Sequence, residues 1–177
     1  MKTSQRPLIL EAAVRVLLHK GLAGFTLDAA AAEADVSKGG LLHHFPSKEA
    51  LLAGVLEFFL QRQSERIRDL VAADPEPRGR ILRAYLHSSF DPAVSGLTPP
   101  EERKVFVALL AAMANQPALL EPLRQAMQEW TRELGPEEWL LVLAIDGLWI
   151  WNLLGALPQE NQFREHMVRM LQEKTAP

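Results

Sequence analysis

The sequence predicts an all-α protein with nine helices, three short ones followed by six longer ones. No stretch alternates apolar and polar residues with a period of two, and the strand-favouring residues Thr and Tyr are few. Apolar residues instead recur at helical spacing. Near the N-terminus, one stripe at i, i+3, i+4, i+7 and i+8 is formed by Ile9, Ala12, Ala13, Val16 and Leu17.

Capping and helix-breaking residues give the bounds of the three short helices. Arg6 and Pro7 begin the first helix, and Gly21 ends it. Thr26 caps the second helix. Ser37 caps the third, which Phe45 and Pro46 end. Between the second and third helices stands Asp35, a residue that tolerates the left-handed conformation of a tight turn.

Similar signals mark the six longer helices. They are predicted at about 48–73, 81–90, 99–114, from 117 or 122 to 135, at 136–155, and from 158 onward. Ser47 caps the first of them, and Thr98 with Glu101 forms a capping box before the third.

Composition and charge limit the classes of protein. The chain has 177 residues, no Cys and a net charge of −3, so disulfides and thiolate metal sites are excluded and a reducing, cytoplasmic location is expected. No basic region followed by an apolar one is seen at the start of the sequence, so secretion is not expected. Residues 1–50 hold six Lys/Arg and five Asp/Glu, whereas the remainder holds 13 and 17, which permits a nucleic-acid face at the N-terminus.

The segment 139–157 is apolar enough to raise a membrane-spanning alternative. Asp146 lies near its middle, where a carboxylate costs about 3 kcal/mol to insert, and Asn152 weakens the segment further. A helix that is apolar on most sides can also be buried in protein, including by a second subunit. We therefore expect no membrane partner, and a homodimer formed through 136–155 and 158–173.

Residues 26–45 predict a helix, a tight turn and a second short helix, the arrangement in which the second helix enters the DNA major groove. Gly39 and Gly40 each cost a helix roughly 1 kcal/mol relative to Ala. Their lack of side chains would let the backbone approach DNA. Lys38 and Lys48 follow capping serines, so each places a cation at the positive end of a helix, which suits a nearby phosphate. The alternative is two solvated surface lysines.

The stretch TLDAAAAEADVSKGGLLHHFPSKEALL resembles the DNA-binding signature of tetracycline-repressor-type (TetR family) transcriptional regulators. The resemblance covers about residues 8–52, and beyond it the chain is similar in helix count, length and the AIDGLWIWNLLG stretch. It implies a helix-turn-helix domain at 1–46 that binds double-stranded operator DNA. It further implies a helical domain at 47–177 that binds a small-molecule effector and forms a homodimer.

The resemblance also implies roles for single residues. Thr26 and Lys48 would contact phosphates, and Phe45 would belong to the core. The groove would be faced by Ser37, Lys38, Gly39, Gly40 and His43. The chain departs from the family pattern at Leu42, where Tyr is common, at Asp35, which replaces a turn glycine, and at Gly40, which replaces a polar residue. Few direct contacts to bases are therefore expected.

Metal, cofactor and enzyme chemistry are not predicted. His43 and His44 are adjacent, so their side chains point about 100° apart and cannot hold one metal ion as an i, i+4 pair would. We expect His43 to be exposed and His44 to be packed. No catalytic constellation or phosphate-binding loop is apparent, so neither an enzyme nor a cofactor is expected.

Aromatic residues of the second part predict a cavity for a largely apolar or aromatic ligand. The residues proposed to line it are Phe59, Tyr85, Met113, Trp130, Asp146 and Trp149. The function expected is a ligand-responsive repressor released from a palindromic operator. The alternative is a helical small-molecule-binding protein that has lost operator recognition, which Leu42 and Gly40 would explain.

Overall fold

The computed structural model describes residues 5–91, 99–158 and 162–176. These ranges contain nine α-helices and no strand, which confirms the predicted fold class and helix count. The helices are α1 Gln5–Lys20, α2 Leu27–Glu33, α3 Lys38–His44, α4 Lys48–Ala73, α5 Arg80–Phe90, α6 Pro99–Asn115, α7 Leu120–Thr131, α8 Pro136–Leu153 and α9 Phe163–Thr175. A 3-10 turn, Pro117–Leu119, precedes α7.

Three helices have ends that differ from the prediction by more than one residue. The helix α7 begins at Leu120, after the 3-10 turn, and ends at Thr131 and not at about residue 135. The last helix begins at Phe163 and not at Pro158. The eighth ends at Leu153, because Gly155 takes a left-handed φ of 68° and closes the turn. The predicted cap at Thr98 lies outside the described residues.

The chain divides into two compact units, and the first comprises Met1–Leu60 and Pro99–Arg124. Its centre is α1, which packs against both α2 and α6. The predicted apolar stripe of α1 is buried along its whole length, from Ile9 to Leu17. The first half of α4 adds Leu51, Leu52 and Val55 to the same core. Burial of this stripe stabilises α1, since most helical stability in proteins comes from packing of an apolar face.

The second unit comprises Gln61–Thr98 and Gln125–Pro177. Within it, α5 packs against α8, and α9 packs against both. Its core joins Leu82 and Leu86 of α5 to Val142 and Ile145 of α8 and to Leu171 of α9. Each of these three helices thus buries one apolar face in a shared cluster.

The helix α4 belongs to both units, because its residues through Leu60 lie in the first and the rest in the second. The predicted domains, 1–46 and 47–177, follow a different division and remain a prediction. Among the described helices, none is long and apolar enough to cross a membrane.

Candidate nucleic-acid interface and effector site

Side-chain caps hold the two helices of the helix-turn-helix at their N-termini. The Thr26 hydroxyl accepts a hydrogen bond from the Ala29 N–H at 3.1 Å, and the Ser37 hydroxyl accepts one from the Gly40 N–H at 3.0 Å. Asp35, in the turn between them, has a φ of 53°, as the sequence predicted. The two caps fix where α2 and α3 begin, and the left-handed residue Asp35 makes the turn between them.

One side of α3 is anchored in the core and the other is open to solvent. Leu41 and Phe45 are buried, which confirms the core position expected for Phe45. The exposed side consists of Lys38, Gly39, Leu42 and His43. Their spacing at i, i+1, i+4 and i+5 places them on one face of the helix. We call this set the open face of α3.

The two glycines of α3 have different surroundings. A Cβ added at Gly39 would meet no atom within 4 Å, so nothing in the fold requires a glycine there. A Cβ at Gly40 would lie 3.2 Å from the Ser37 Oγ, the atom that caps the helix. Gly39 therefore exposes bare backbone on the open face, while Gly40 makes room for the cap.

Lys38 has an ion-pair partner that was not predicted from the sequence. Its Nζ lies 2.9 Å from a carboxylate oxygen of Asp28, in the first turn of α2, and both side chains are mostly exposed. Such exposed pairs contribute only about 0–1 kcal/mol, so water or a phosphate can replace the carboxylate. The pair places an acid beside the lysine that was expected to face DNA.

Lys48 also has contacts within the first unit. Its ammonium donates a hydrogen bond to the Leu22 carbonyl at 3.2 Å and lies 5.8 Å from the centre of the Phe25 ring. Lys48 thus links the N-terminus of α4 to the loop after α1. Its side chain is half-buried, and these contacts hold its charge beside the loop between α1 and α2.

The predicted exposure of His43 is confirmed, whereas the packing of His44 against neighbouring helices stays a prediction. His43 is exposed, His44 is half-buried, and their ring centres lie 5.3 Å apart in an edge-to-face arrangement. The described ranges contain no group of three or more potential metal ligands.

Three of the six residues predicted to bind an effector come together in the second unit. The Tyr85 hydroxyl donates a hydrogen bond to the Asp146 carboxylate, and the Trp130 ring lies 4.2 Å from the Tyr85 ring, centre to centre. Burial raises the pKa of Asp146 even though the Tyr85 hydrogen bond opposes that shift. Burial, with the nearby Asp146 carboxylate, also raises the pKa of Tyr85. We call these three residues the carboxylate–aromatic cluster.

The other three predicted residues lie outside this cluster. Phe59 and Met113 are buried in the first unit, where the Phe59 ring lies 5.0 Å from that of Phe106. Trp149 is half-buried on α8 in the second unit. The pocket assignment as a whole remains a prediction.

A cleft of about 500 Å³ between α5 and α9 was not anticipated from the sequence. None of the six predicted residues lines it. It is lined by Arg83, Leu86, His87, Phe90, Asp91, Val168, Gln172 and Thr175. These residues come from helices distant in the chain, and helical periodicity carries no information about such a pairing.

The helix α8 has an exposed apolar stripe opposite its buried face. Leu140, Leu143, Trp151 and Leu154 are between 53% and 68% exposed, and their spacing, with Gly147 between them, places them on one side of the helix. Trp149, two residues from Trp151, is half-buried. We call the four exposed residues, Leu140, Leu143, Trp151 and Leu154, the α8 stripe.

Comparison with known proteins connects both parts of the chain to one family. A family model described as "Bacterial regulatory proteins, tetR family" matches residues 9–55. A second model, "Tetracyclin repressor-like, C-terminal domain", matches residues 79–176, which is more than half of the chain.

Curated relatives agree with these matches. The HTH-type transcriptional regulator CymR of Pseudomonas putida is 29% identical over 79% of this chain and 66% of its own length. PksA of Bacillus subtilis is 33% identical over 46% of this chain and 40% of its own. BetI of Paraburkholderia phymatum is 31% identical over 67% and 59% respectively. The chain thus spans from two fifths to two thirds of the length of these three relatives.

Solved structures share the fold along nearly the whole chain. The protein SCO7518 of Streptomyces coelicolor has a TM-score of 0.73 at 20% identity, covering 99% of this chain and all of that one. The multidrug binding protein EbrR, solved with imidazole, has a TM-score of 0.63 at 23% identity, covering 99% and 97%. With its N-terminal and C-terminal parts both matched, the chain belongs to the TetR family of bacterial regulatory proteins.

Proposed function

We propose that this protein is a DNA-binding transcriptional regulator whose helix α3 enters the major groove. The observation that carries the proposal is the open face of α3, which a helix-turn-helix of this geometry presents to base edges. Within this proposal Thr26 and Lys48 contact phosphates, while Ser37, Lys38, Gly39, Gly40 and His43 face the groove. The protein is a regulator and has no catalytic role.

The active form in this proposal is a homodimer joined through the α8 stripe. Exposed leucine and tryptophan side chains on one helix face form a contiguous apolar surface, which is typical of a protein–protein contact. A symmetric dimer presents two recognition helices, so the operator is expected to be palindromic.

A small, largely apolar or aromatic ligand is proposed as the effector that releases the repressor. The carboxylate–aromatic cluster motivates this choice, since it brings together two aromatic rings, Tyr85 and Trp130, and the Asp146 carboxyl group, which are groups that bind aromatic or cationic ligands. EbrR, which shares the fold, is a multidrug binding protein solved with imidazole and with ethidium. In this proposal Trp149, which lies in the same unit, also contacts the ligand. The roles of Phe59 and Met113, which are buried in the first unit, stay predictions.

A second candidate function is a helical small-molecule-binding protein that has lost operator recognition. The Lys38–Asp28 ion pair favours it, because the Asp28 carboxylate pairs with the lysine that is expected to face DNA. Leu42, which cannot donate a hydrogen bond to a phosphate, favours it as well.

Fluorescence anisotropy with duplexes from the DNA flanking the protein's own gene tests the two candidates. Wild-type protein should bind one fragment in preference to a scrambled duplex. Lys48→Ala should weaken binding to all duplexes about equally and lower the salt slope by about one unit, since one phosphate contact is lost. Lys174→Ala removes an exposed lysine of α9 and serves as the control.

Lys48 also bonds to the Leu22 carbonyl, so the melting temperature of each variant must be compared with that of the wild type. If no fragment is bound in preference to the scrambled duplex at low salt, DNA-binding regulation is rejected in favour of the second candidate.

A further inference from the structure

Leu42 is an apolar side chain on a face that offers few other side chains. It is 37% exposed on the open face of α3, whereas its neighbour Leu41 is fully buried. The core of the first unit therefore does not hold the whole of the Leu42 side chain, and part of its apolar surface remains in contact with water.

The residues on the N-terminal side of Leu42 leave it uncovered. Side chains of a helix lean towards the preceding turn, so Leu42 points over Gly39, which has no side chain, and towards Lys38. Lys38 is drawn towards Asp28 by their 2.9 Å ion pair. Leu42 and His43 are consequently the side chains of the open face that remain to meet a base edge.

Leucine has neither a donor nor an acceptor, so it cannot take part in hydrogen-bonded recognition of a base. The apolar group that base pairs present in the major groove is the C5 methyl of thymine, which cytosine lacks. We propose that Leu42 contacts a thymine methyl in each half-site and so determines specificity at that base pair. This inference rests on the proposed insertion of α3 into the major groove.

The test removes only the methyl group. Full-length protein selects its preferred sequence from a library of random duplexes, and each thymine of the selected duplex is then replaced by deoxyuridine. At one thymine of each half-site, the replacement should weaken wild-type binding about fourfold, as expected for one buried methyl-sized group. Replacing the two equivalent thymines, one in each half-site, should weaken wild-type binding roughly 15-fold if the half-sites act independently.

Leu42→Ala supplies the second arm of the experiment. It should bind the thymine and deoxyuridine duplexes equally, with an affinity near that of the wild type for deoxyuridine. Val107→Ala, which trims a 40% exposed apolar side chain on α6, should discriminate between the duplexes as the wild type does.

Two results would overturn the inference while leaving DNA binding intact. In the first, the wild type binds every deoxyuridine duplex as tightly as the parent thymine duplex. In the second, Leu42→Ala still binds the thymine duplex more tightly than the deoxyuridine duplex. A selection that enriches no sequence would instead contradict the proposed function itself.

Discussion

The fold does not require a glycine at position 39, because it leaves room for a side chain there. An added Cβ would meet no atom within 4 Å. Gly39→Ala should therefore stabilise the protein by about 0.5–1 kcal/mol, because alanine loses less conformational freedom in a helix. If the bare backbone serves to approach DNA, the same change should weaken operator binding. Thermal unfolding and anisotropy titration of one preparation measure both effects.

The neighbouring position provides a comparison for this prediction. Gly40→Ala places its Cβ 3.2 Å from the Ser37 Oγ and should gain less stability. A Gly39→Ala variant that is stabilised and binds operator like the wild type would show that DNA does not approach this backbone closely.

Asp146 is a half-buried carboxyl whose raised pKa makes stability depend on pH. Below the unfolded pKa of about 3.9 both states are protonated and burial carries no ionic cost. As the pH rises from there towards the raised pKa, the unfolded state ionises first, so the folded state loses stability. Asp146→Asn has no such titration and can still accept the Tyr85 hydrogen bond.

The melting temperature of Asp146→Asn relative to wild type should therefore be higher at pH 7 than at pH 4. An equal difference at the two pH values would show that Asp146 is ionised in the folded protein at no cost. Thermal unfolding at both values decides between these outcomes.

At the scale of helices, α4 packs so closely on its neighbours that a glycine is needed at position 54. A Cβ there would lie 2.6 Å from a ring carbon of Phe45 and 3.1 Å from the Leu10 Cδ2. Gly54→Ala should destabilise the protein by about 1–3 kcal/mol, since overpacking forces side chains off their rotamers. This is opposite in sign to Gly39→Ala.

Urea unfolding of the two alanine variants side by side measures this contrast. A midpoint for Gly54→Ala equal to that of the wild type would mean that Phe45 moves aside without strain.

Local signals in the sequence are sufficient to predict the helices. The contacts that were not predicted join residues that are distant in the chain. The caps at Thr26 and Ser37 were predictable, because a cap involves residues three positions apart. The Lys38–Asp28 and Tyr85–Asp146 pairs join residues ten and 61 positions apart, and no periodicity encodes such separations. The start of α9 at Phe163 was missed because Pro158 is also a sound first helical residue.

At the scale of the whole molecule, the α8 stripe predicts how two copies associate. Leu143→Asp would place a charge within the proposed interface and should convert a dimer into monomers. Val107→Asp adds the same charge at an exposed apolar position on α6 and should remain dimeric. Size exclusion with light scattering at micromolar concentration distinguishes the two, and a monomeric wild type would contradict the proposed interface.

We propose that α4, one continuous helix of 26 residues, carries the communication between effector and DNA. It begins at Lys48, proposed to contact a phosphate, and contributes Ile67 to the core cluster that contains Tyr85. We expect a ligand at the carboxylate–aromatic cluster to tilt α4 and so change the spacing of the two recognition helices in the dimer. A coupling of about 1–3 kcal/mol would change operator affinity by roughly 5–150-fold.

Thermodynamic reciprocity makes this coupling measurable from the side of the ligand. If the effector weakens operator binding by a given factor, saturating operator must weaken effector binding by the same factor. An effector found by thermal-shift screening is titrated into the protein alone and into the protein–operator complex, because a ligand of the folded state raises its melting temperature. Tyr85→Phe, which removes the hydroxyl that donates to Asp146 and keeps the ring, should alter effector affinity while leaving operator affinity unchanged without ligand. Equal effector affinities with and without operator would mean that the two sites are uncoupled, and the ligand-controlled repressor would have to be abandoned.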